Sequence, residues 1–418
     1  MRILILGINY SPEKIGVAVY TTDLAQSLVK AGHEVSVVTT NPYYPEWRVA
    51  VGYNSRGWRR ERVDGVDVLR CPTYVPRYPS GSRRLLHHAS FALSALVPTL
   101  WRGLIRRPDA VLSIAPSLIS APVGWAAARL GGSVAWLHIQ DFEVDAAVAT
   151  GLLDKDARVI RWAKKVERTL MRMFDRVSSI SLEMCQRLAT MGVQPQRIQQ
   201  MRNWADLSNV VPQASSSHYR DAWKITTPYV ALYSGNIANK QGIEIVVAAA
   251  QRLQHRHDLT FVICGEGPNR VALEEAAAAC PNIRIHDLQP KECLSDLLSL
   301  ATIHLLPQKA DAADLVLPSK LTNILASGRP VVATAHLGTG LAREVEGCGI
   351  VTRPEDDVAF ARAIETLVDD AMLRERYGRA ARTRAEHDWN KDKIVTDFCS
   401  NLSEAIALEG GVVAARAL

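Results

Sequence analysis

The chain has 418 residues, which is too long for a single hydrophobic core and predicts two domains. Its composition, 48% hydrophobic and 22% charged, is that of an ordinary globular protein and excludes a disordered or low-complexity chain. The net charge of +6 is unevenly distributed, because residues 1–207 contain 27 Lys and Arg against 17 Asp and Glu, while residues 208–418 contain 22 against 26.

The first predicted element is a buried strand in RILILGI, which ends at Gly7. Its apolar run covers six residues and is followed by Asn9 and Pro12, so it is too short for a signal peptide. Gly16 then precedes a helix that begins near Val17, and helix N-termini attract anions. Gly16 therefore either borders an anionic ligand or only permits tight packing.

Short apolar runs alternate with amphipathic stretches through most of the chain, as in EVSVVTT, DAVLSIA, SVAWLHI, YVALYSG and RPVVAT. This alternation is typical of α/β folds with parallel sheets and crossover helices. The pattern pauses in a polar segment over 204–228, so we predict domains over 1–207 and 208–384. A helical pattern over 385–418 predicts a C-terminal helix that packs back on the first domain. Because ligands bind at the carboxyl ends of parallel strands, we expect the two sheets to face a central cleft.

Residues 56–107 form a strongly basic segment with eleven Arg against three acidic residues. It includes the mostly apolar stretch LLHHASFALSALVPTLWRGLIRR, which is a poor spanning helix because it contains Pro98 and Arg102. We favour an amphipathic helix on an anionic membrane surface, into which Phe91 and Trp101 insert. The alternative is a buried crossover helix with basic ends. The basic residues predicted to contact the membrane or the acceptor are Arg83, Arg84, Arg106 and Arg107. Nucleic acid is not expected, because no nucleic-acid-binding motif accompanies the segment.

A group of polar residues follows the predicted strand SVAWLHI. Its members are His138, Gln140, Asp141, Glu143 and Asp145. So many polar side chains at the end of a strand predict a functional site, and we predict His138 and Asp141 as catalytic. A metal site is a second interpretation, although no further His or Cys occurs at ligand spacing. Capping of the next helix by one of the acids is a third, but it would not account for His138.

Two strand, glycine loop and helix units follow the polar segment, in YSGNIANKQGIE and VICGEGPNR. The first contains Lys240, and backbone N–H groups with one lysine are what a diphosphate requires. A solvent-exposed loop lysine is the alternative. The second unit has Gly265 and Gly267, which we expect to admit a nucleotide against the backbone.

The stretch LVLPSKLTNILASGRPVV predicts a helix with Pro318 in its first turn. Ser319 and Lys320 would then lie at the positive end of the helix, where a diphosphate leaving group fits. An ordinary capped helix is the alternative.

Seven cysteines occur singly, without a CxxC pair or a disulfide framework. This pattern fits a reducing compartment. We therefore expect a cytoplasmic protein that binds the inner membrane peripherally.

Six stretches together closely resemble glycosyltransferase family 4 and, within it, the colanic acid biosynthesis enzymes. They are NYSPE, NPYYPEW, LHIQDFEVDA, YSGNIANKQGIE, GEGP and LPSKLTNILASGRPVV, and the resemblance covers nearly the whole chain. It implies a GT-B fold with two Rossmann-like domains, a nucleotide diphosphate sugar as donor, no metal or other cofactor, and retention of the anomeric configuration.

Carried over residue by residue, the resemblance implies that Gly16 lies by the donor phosphates and His138 near the donor sugar. The predicted donor-binding residues are Gly16, Gly235, Asn236, Lys240, Gly265, Glu266, Gly267, Ser319, Lys320 and Leu321. The chain departs from the family at the pair of glutamates, which fall on Leu315 and Asn323, and we predict Asp314 and Asn323 as their replacements. The family's usual Arg in the first donor loop is Asn236 here.

The resemblance thus predicts transfer of a sugar to a lipid-linked oligosaccharide in exopolysaccharide or capsule synthesis. It favours a GDP-sugar, GDP-fucose, over a UDP-sugar, although no residue pattern identifies guanine or fucose. A GT-B nucleotide-sugar 2-epimerase is the alternative, which would act on the donor without an acceptor. A binding protein without catalytic activity is disfavoured by the polar group at His138.

Overall fold

The computed structural model describes residues 1–14, 16–54, 56–144, 157–213, 217–310 and 318–416. These residues form two compact units, of which unit 1 is Met1–Arg202 with Asp392–Leu418 and unit 2 is Asn203–Lys391. The sequence places the changes of domain slightly differently, at 207/208 and 384/385. Two hydrogen bonds hold the segment before 208 in unit 2, because Ala205 N–H donates to the Trp389 carbonyl (2.9 Å) and Asp206 N–H donates to Asn323 Oδ1 (3.1 Å).

Unit 1 is built around one large sheet. Its strands are β1 (Arg2–Gly7), β2 (Glu34–Thr40), β3 (Arg59–Val63), β4 (Val66–Cys71), β5 (Ala110–Ala115), β6 (Val134–Ile139), β7 (Arg176–Ser179) and β8 (Ile198–Gln200). They lie in the order β3-β4-β2-β1-β5-β6-β7-β8. All neighbouring pairs are parallel except β3 with β4.

The helices of unit 1 are α1 (Val17–Lys30), α2 (Gly81–Arg106), α3 (Ala121–Gly131), α4 (Ala157–Met173), α5 (Leu182–Thr190) and α14 (Lys391–Arg416). Strands β5 and β6 are buried along their whole length, which explains their continuous apolar runs. Helix α3 packs on both strands and also contacts α2 and α4. Helix α14 belongs to this unit, where Phe398 packs edge-on against Trp136 of β6 at 4.9 Å between ring centroids.

Unit 2 contains a second, fully parallel sheet. Its strands are β9 (Tyr229–Ser234), β10 (Leu259–Cys264), β11 (Ile283–His286), β12 (Ile303–Leu306), β13 (Val331–Thr334) and β14 (Gly349–Thr352). They lie in the order β11-β10-β9-β12-β13-β14.

The helices of unit 2 are α6 (Tyr219–Ala222), α7 (Glu244–Arg252), α8 (Arg270–Ala277), α9 (Leu294–Ser299), α10 (Lys320–Ala326), α11 (Gly340–Val345), α12 (Asp357–Asp369) and α13 (Ala371–Asp388). Its core lies between the sheet and these helices and includes Phe261 and Phe360. The predicted donor loops begin where β9 and β10 end, so they lie at the carboxyl edge of the sheet, where α/β proteins bind ligands.

Candidate active site

The two glycine loops of unit 2 are held tightly against each other. Ile237 N–H donates to the Glu266 carbonyl at 2.8 Å. A Cβ atom on Gly265 would lie 1.9 Å from the Gly235 carbonyl oxygen, and one on Gly267 would lie 2.1 Å from the Ile237 carbonyl oxygen. Glycine is therefore required at both positions because the first loop passes so close, and the contact of these glycines with a nucleotide stays a prediction.

Lys320, the first residue of α10, lies across the start of the first loop. Its Nζ donates to the Tyr233 hydroxyl at 2.9 Å, and that hydroxyl donates to the Asn236 carbonyl at 2.5 Å. Gly235 has φ +135°, and a Cβ on it would lie 2.2 Å from Lys320 Cε and 2.4 Å from Nζ. Burial raises the pKa of Tyr233, so its hydroxyl stays protonated. The structure thus brings Gly235, Asn236 and Lys320 together at the end of β9.

The other predicted residues near α10 have different surroundings. Ser319 is the N-cap and is exposed, and its hydroxyl accepts no capping hydrogen bond from the described first turn. Leu321 is fully buried and its N–H donates to the Pro318 carbonyl at 3.0 Å, so it supports α10 from the core. Asn323 is half-buried, and its Oδ1 accepts the hydrogen bond from Asp206. Asp314 lies outside the described residues.

Glu266 and Lys240 lie in the two donor loops. Glu266 is exposed and forms an ion pair with Arg270, which also bonds Glu274 at 2.8 Å. This network ties the second loop to the start of α8. Lys240 lies in a short 3₁₀ turn, Asn239–Gln241, and its side chain is outside the described set.

In unit 1, Gly16 is the N-cap of α1 with φ +65° and ψ −146°. Among the described atoms beyond its chain neighbours, none lies within 4 Å of a Cβ placed there. Tight packing therefore does not explain this glycine, whereas its backbone conformation does, because residues with a Cβ rarely adopt it. The first turn of α1 contains no acidic residue, so its N–H groups form a positive end beside Gly16.

His138 is the fifth residue of β6 and is almost fully buried, at 1% exposure. Gln140 Nε2 donates to its Nε2 at 3.0 Å, which places the ring proton on Nδ1 for a bond to Ser178 Oγ at 2.9 Å. Trp136 Nε1 donates to the same hydroxyl at 2.8 Å. Burial lowers the pKa of His138 to about 3, so the ring is neutral at physiological pH. The imidazole of His138 is therefore neutral, is hydrogen-bonded at both nitrogens and is enclosed by protein, so it orients Gln140 and Ser178.

The acids after β6 lie at the same edge of the sheet. Asp141 is half-buried, and Glu143 Oε1 accepts the N–H groups of Ser117 and Leu118, both at 2.5 Å. Burial raises the pKa of Glu143 to about 7, although these two hydrogen bonds lower it. Glu143 therefore links the ends of β5 and β6, a role that its place in LHIQDFEVDA could have indicated. Asp145 lies outside the described residues.

Helix α2 combines the two alternatives left open by the sequence, since one of its faces is buried and the other is exposed and apolar. Phe91 is completely buried in the core, so the prediction that it inserts into a membrane is wrong. The opposite face carries exposed apolar side chains at helical spacing, which we name the α2 apolar stripe. Its members are Leu86, Leu93, Val97, Trp101 and Leu104. Within the described ranges no helix has the length and apolar character to cross a membrane.

The four predicted basic residues of α2 differ in their partners. Arg83 and Arg107 are exposed at the two ends of the helix. Arg84 is half-buried, with its guanidinium 5.1 Å from the centre of the Trp47 ring. Arg106 pairs with Asp67 at 3.1 Å. Arg83 Nη1 donates to the Tyr78 carbonyl at 3.3 Å, so three of the four cations have protein partners, and the exposed charge lies at the helix ends.

A buried glutamate connects two motifs that the sequence analysis treated separately. Glu13 of NYSPE accepts the N–H groups of Tyr43 and Tyr44 of NPYYPEW through Oε1, at 2.9 and 3.0 Å. Its Oε2 accepts Asn9 Nδ2 at 2.9 Å. Burial raises its pKa. Nothing in the sequence of either motif indicates this contact, because the partners of the carboxylate are backbone N–H groups thirty residues away.

The described part of the chain contains no group of three His, Cys, Asp or Glu side chains that could hold a metal ion. Metal independence stays a prediction.

Comparison with known proteins gives the family. The glycosyl transferase 4-like domain family matches residues 16–204, and the glycosyl transferases group 1 family matches residues 228–370. The Escherichia coli (strain K12) protein provisionally named colanic acid biosynthesis glycosyl transferase WcaI is 37% identical over 413 residues, which cover 96% of this chain and 100% of that protein. The alpha-D-kanosaminyltransferase of Streptomyces kanamyceticus is 31% identical over 40% of this chain and 44% of that protein.

Solved structures show the same fold. Sucrose-phosphate synthase from Thermosynechococcus elongatus superposes with a TM-score of 0.75 and 16% identity, over 97% of this chain and 99% of that chain. Anabaena Alr3699/HepE in complex with UDP gives a TM-score of 0.70 and 14% identity, over 97% and 100%. The predicted α/β fold of GT-B type with two Rossmann-like units is thereby confirmed. The chain belongs to the glycosyltransferases, with a 4-like domain followed by a group 1 domain.

Proposed function

We propose that this glycosyltransferase moves a sugar from a nucleotide diphosphate sugar to a lipid-linked oligosaccharide in exopolysaccharide or capsule synthesis. The observation that carries the proposal is the Lys320 ammonium lying over Gly235 at the carboxyl end of β9. Ligands of α/β sheets bind at this edge. An ammonium group beside backbone N–H groups suits a diphosphate.

In the proposed reaction, negative charge develops on the leaving diphosphate as the bond to the sugar breaks. Lys320 and the start of α10, with Ser319 as N-cap, stabilise that charge more strongly than the charge of the intact donor, which lowers the barrier. We propose that these groups act without a metal or other cofactor and that the anomeric configuration is retained. Gly16 and the start of α1 are proposed as a further contact for the donor phosphates.

The residues after β6 are proposed to serve the donor sugar. Because His138 is enclosed, it acts as a positioning residue that fixes Gln140 through its Nε2. Asp141, half-buried at the same edge, is the candidate for direct contact. Asp314 and Asn323 remain proposed replacements for the family's glutamates.

Donor and acceptor identities are proposed from relatives. The name of the Escherichia coli relative refers to colanic acid biosynthesis, which supports an exopolysaccharide acceptor. The structure of Anabaena Alr3699/HepE with UDP supports a nucleotide diphosphate as the ligand class. Within that class we favour a GDP-sugar, GDP-fucose, on the resemblance described in the sequence analysis.

We further propose that the protein is cytoplasmic and docks peripherally on an anionic membrane through the α2 apolar stripe. Leu93 and Trp101 in this stripe are 72% and 63% exposed. Arg83 and Arg107 lie at the ends of the helix, where they would meet lipid headgroups. Such docking would bring the enzyme to a lipid-linked acceptor.

A thermal-shift screen in EDTA tests the donor site. GDP, UDP, ADP and TDP and their sugars are each added to the wild type, because a ligand that binds only the folded state raises its stability. We expect one nucleotide to raise the Tm of the wild type but not that of Lys320→Ala. The control is Lys30→Ala, which removes an exposed lysine at the end of α1 and should respond like the wild type. An equal shift in Lys320→Ala would refute the proposed diphosphate contact. Product formed from the nucleotide sugar alone would indicate an epimerase instead.

A further inference from the structure

Helix α4 is the most basic helix of unit 1. Its 17 residues contain six Lys or Arg and one Glu. Arg158, Arg161, Lys165 and Arg168 are exposed along one side of the helix. The acceptor and donor residues discussed above do not include any of them, so this charge has no assigned role.

A cleft lies beside this charge, between α4 and α5. Its volume is about 290 Å³, and its lining residues are Lys164, Glu167, Arg168, Arg187, Thr190 and Met191. The lining contains three cations and one carboxylate, which gives a formal charge of +2. Pockets for drug-sized ligands span ~300–1,000 Å³. The cleft therefore suits a small anionic group better than a nucleotide or an oligosaccharide.

Neighbouring contacts hold Arg187 of the cleft and the end of α4 in place. The Arg187 guanidinium lies 4.8 Å from the centre of the Phe142 ring, a cation–π arrangement. Arg172 Nε donates to the Gly192 carbonyl at 3.0 Å, which joins the end of α4 to the chain after α5. Glu167 is 2% exposed, and buried charges in proteins are paired or hydrogen-bonded. A cation placed in advance, as Arg187 is, loses little freedom when it binds an anion.

We propose that the cleft between α4 and α5 is a binding site for a lipid-borne phosphate or diphosphate, distinct from the donor site of unit 2. Lys164, Arg168 and Arg187 bind the phosphate oxygens, for which charge-assisted hydrogen bonds from Arg and Lys are well suited. The inference rests on the proposed function, because a lipid-linked acceptor carries such a group between lipid and sugar.

The exposed face of α4, which borders the cleft at Arg168, points to a lipid as the source of the phosphate. Trp162, on the same helix, is 68% exposed, and Val159 one turn earlier is also exposed. Tryptophan beside basic residues is typical of surfaces that contact a membrane interface. Helix α3 packs against both α2 and α4, so α2, which carries the α2 apolar stripe, lies in the same helix layer as α4. A soluble anion would not require exposed apolar groups on both helices.

Co-sedimentation of the full chain with vesicles tests the proposal. One set of phosphatidylcholine vesicles contains a polyprenyl diphosphate, and the other contains phosphatidylglycerol at the same surface potential. We expect the wild type to bind the diphosphate vesicles at least about tenfold more tightly, because directed hydrogen bonds add to general attraction. The variant Lys164→Gln/Arg168→Gln/Arg187→Gln should lose this preference.

The matched control removes three charges from α4 outside the cleft, in Arg158→Gln/Arg161→Gln/Lys165→Gln. It should weaken binding to both vesicle types and keep the preference. A wild type without preference, or a cleft variant that keeps it, would overturn the proposal. Inorganic diphosphate that stabilises the wild type but not the cleft variant, in the absence of any vesicle preference, would assign the cleft to a soluble anion and also overturn it.

Two further measurements keep the result interpretable. If the triple variant does not fold, as judged by circular dichroism, Arg168→Gln alone is used, since Arg168 is exposed. Stabilisation by nucleotide is measured in the same samples and should be equal in all of them. Its absence from the wild type would contradict the proposed donor site, whereas the vesicle preference reports only on the cleft.

Discussion

The contact between Gly235 and Lys320 allows a quantitative test of the donor site by the substitution Gly235→Ala. The added Cβ would lie 2.2 Å from Lys320 Cε and 2.4 Å from Nζ, whereas ordinary contacts begin at 3.4 Å. The lysine side chain must therefore move by more than about 1 Å, which exceeds the distance range of a charge-assisted hydrogen bond. The new methyl group thus displaces the ammonium without changing its charge.

The expected size of the effect follows from the bond that is lost. A hydrogen bond to a charged group contributes about 1.5–3 kcal/mol, so the affinity for the nucleotide diphosphate should fall by about 10- to 150-fold. Because Gly235 has φ +135°, alanine should also lower the free energy of unfolding by about 1–2 kcal/mol. The two effects are separated by measuring ligand affinity by calorimetry and stability by urea unfolding.

A double-mutant cycle then shows whether the two residues act together. In the Lys320→Ala background, Gly235→Ala should cost almost no further affinity, because the displaced group is already absent. The destabilisation should remain in both backgrounds. If affinity falls by the same factor with and without Lys320, the glycine acts through its own backbone and the argument from the lysine position is refuted.

Four other outcomes are expected. The wild type should lose about 1–2 kcal/mol of its free energy of unfolding as pH rises from 4.5 to 7, because folding raises the pKa of Glu143 to about 7 and the folded state therefore binds this proton more tightly. In Glu143→Gln this pH dependence should be absent, which urea unfolding at several pH values checks. His138→Gln should make the protein less sensitive to acid between pH 6.5 and 3, because in that range the unfolded wild type binds a proton on this ring while the folded ring, whose pKa is lowered to about 3, stays neutral; urea unfolding over the same range checks this. Glu13→Ala should lower the free energy of unfolding by about 2–4 kcal/mol, since three hydrogen bonds are lost, and an unchanged Tm would show that the Glu13 hydrogen bonds do not stabilise the fold. Replacing Leu93 and Trp101 by Ser should release the protein from anionic vesicles at unchanged Tm, and equal binding would contradict docking through α2.

The fold could be predicted from the sequence because its signals are local. Strands such as AVLSIA and VAWLHI are buried on both faces, so their apolar runs identify parallel strands without any knowledge of their neighbours. The polar residues after β6 were likewise found at a strand end, as the pattern predicted. The buried face of helix α2 was harder to predict, because apolar residues occur on both sides of the helix and periodicity does not tell which side faces the core. Only the structure shows that Phe91 points inward and Trp101 outward.

The parts of the site that sequence alone could not give depend on contacts between distant residues. Gly265 and Gly267 were expected to border a ligand, which stays a prediction, and the structure adds a requirement for glycine that comes from the backbone of the earlier loop at Gly235 and Ile237. Tyr233 was not singled out, because a buried strand residue carries no sign that its hydroxyl meets Lys320. The link from Glu13 to the Tyr43 backbone is similarly invisible until the chain is folded.

The uneven charge of the two halves acquires a physical explanation from these contacts. In unit 2, many charges are matched locally, as where Arg256 pairs with Asp258 at 3.0 Å and with Asp369 at 2.8 Å. Unit 1 also contains ion pairs, such as Arg106 with Asp67, but within α4 the basic residues outnumber the acid six to one and lie beside an exposed Trp162. A surface on which cations outnumber acids and flank apolar side chains suits a partner that offers many phosphates above an apolar layer, which is the chemistry of a membrane.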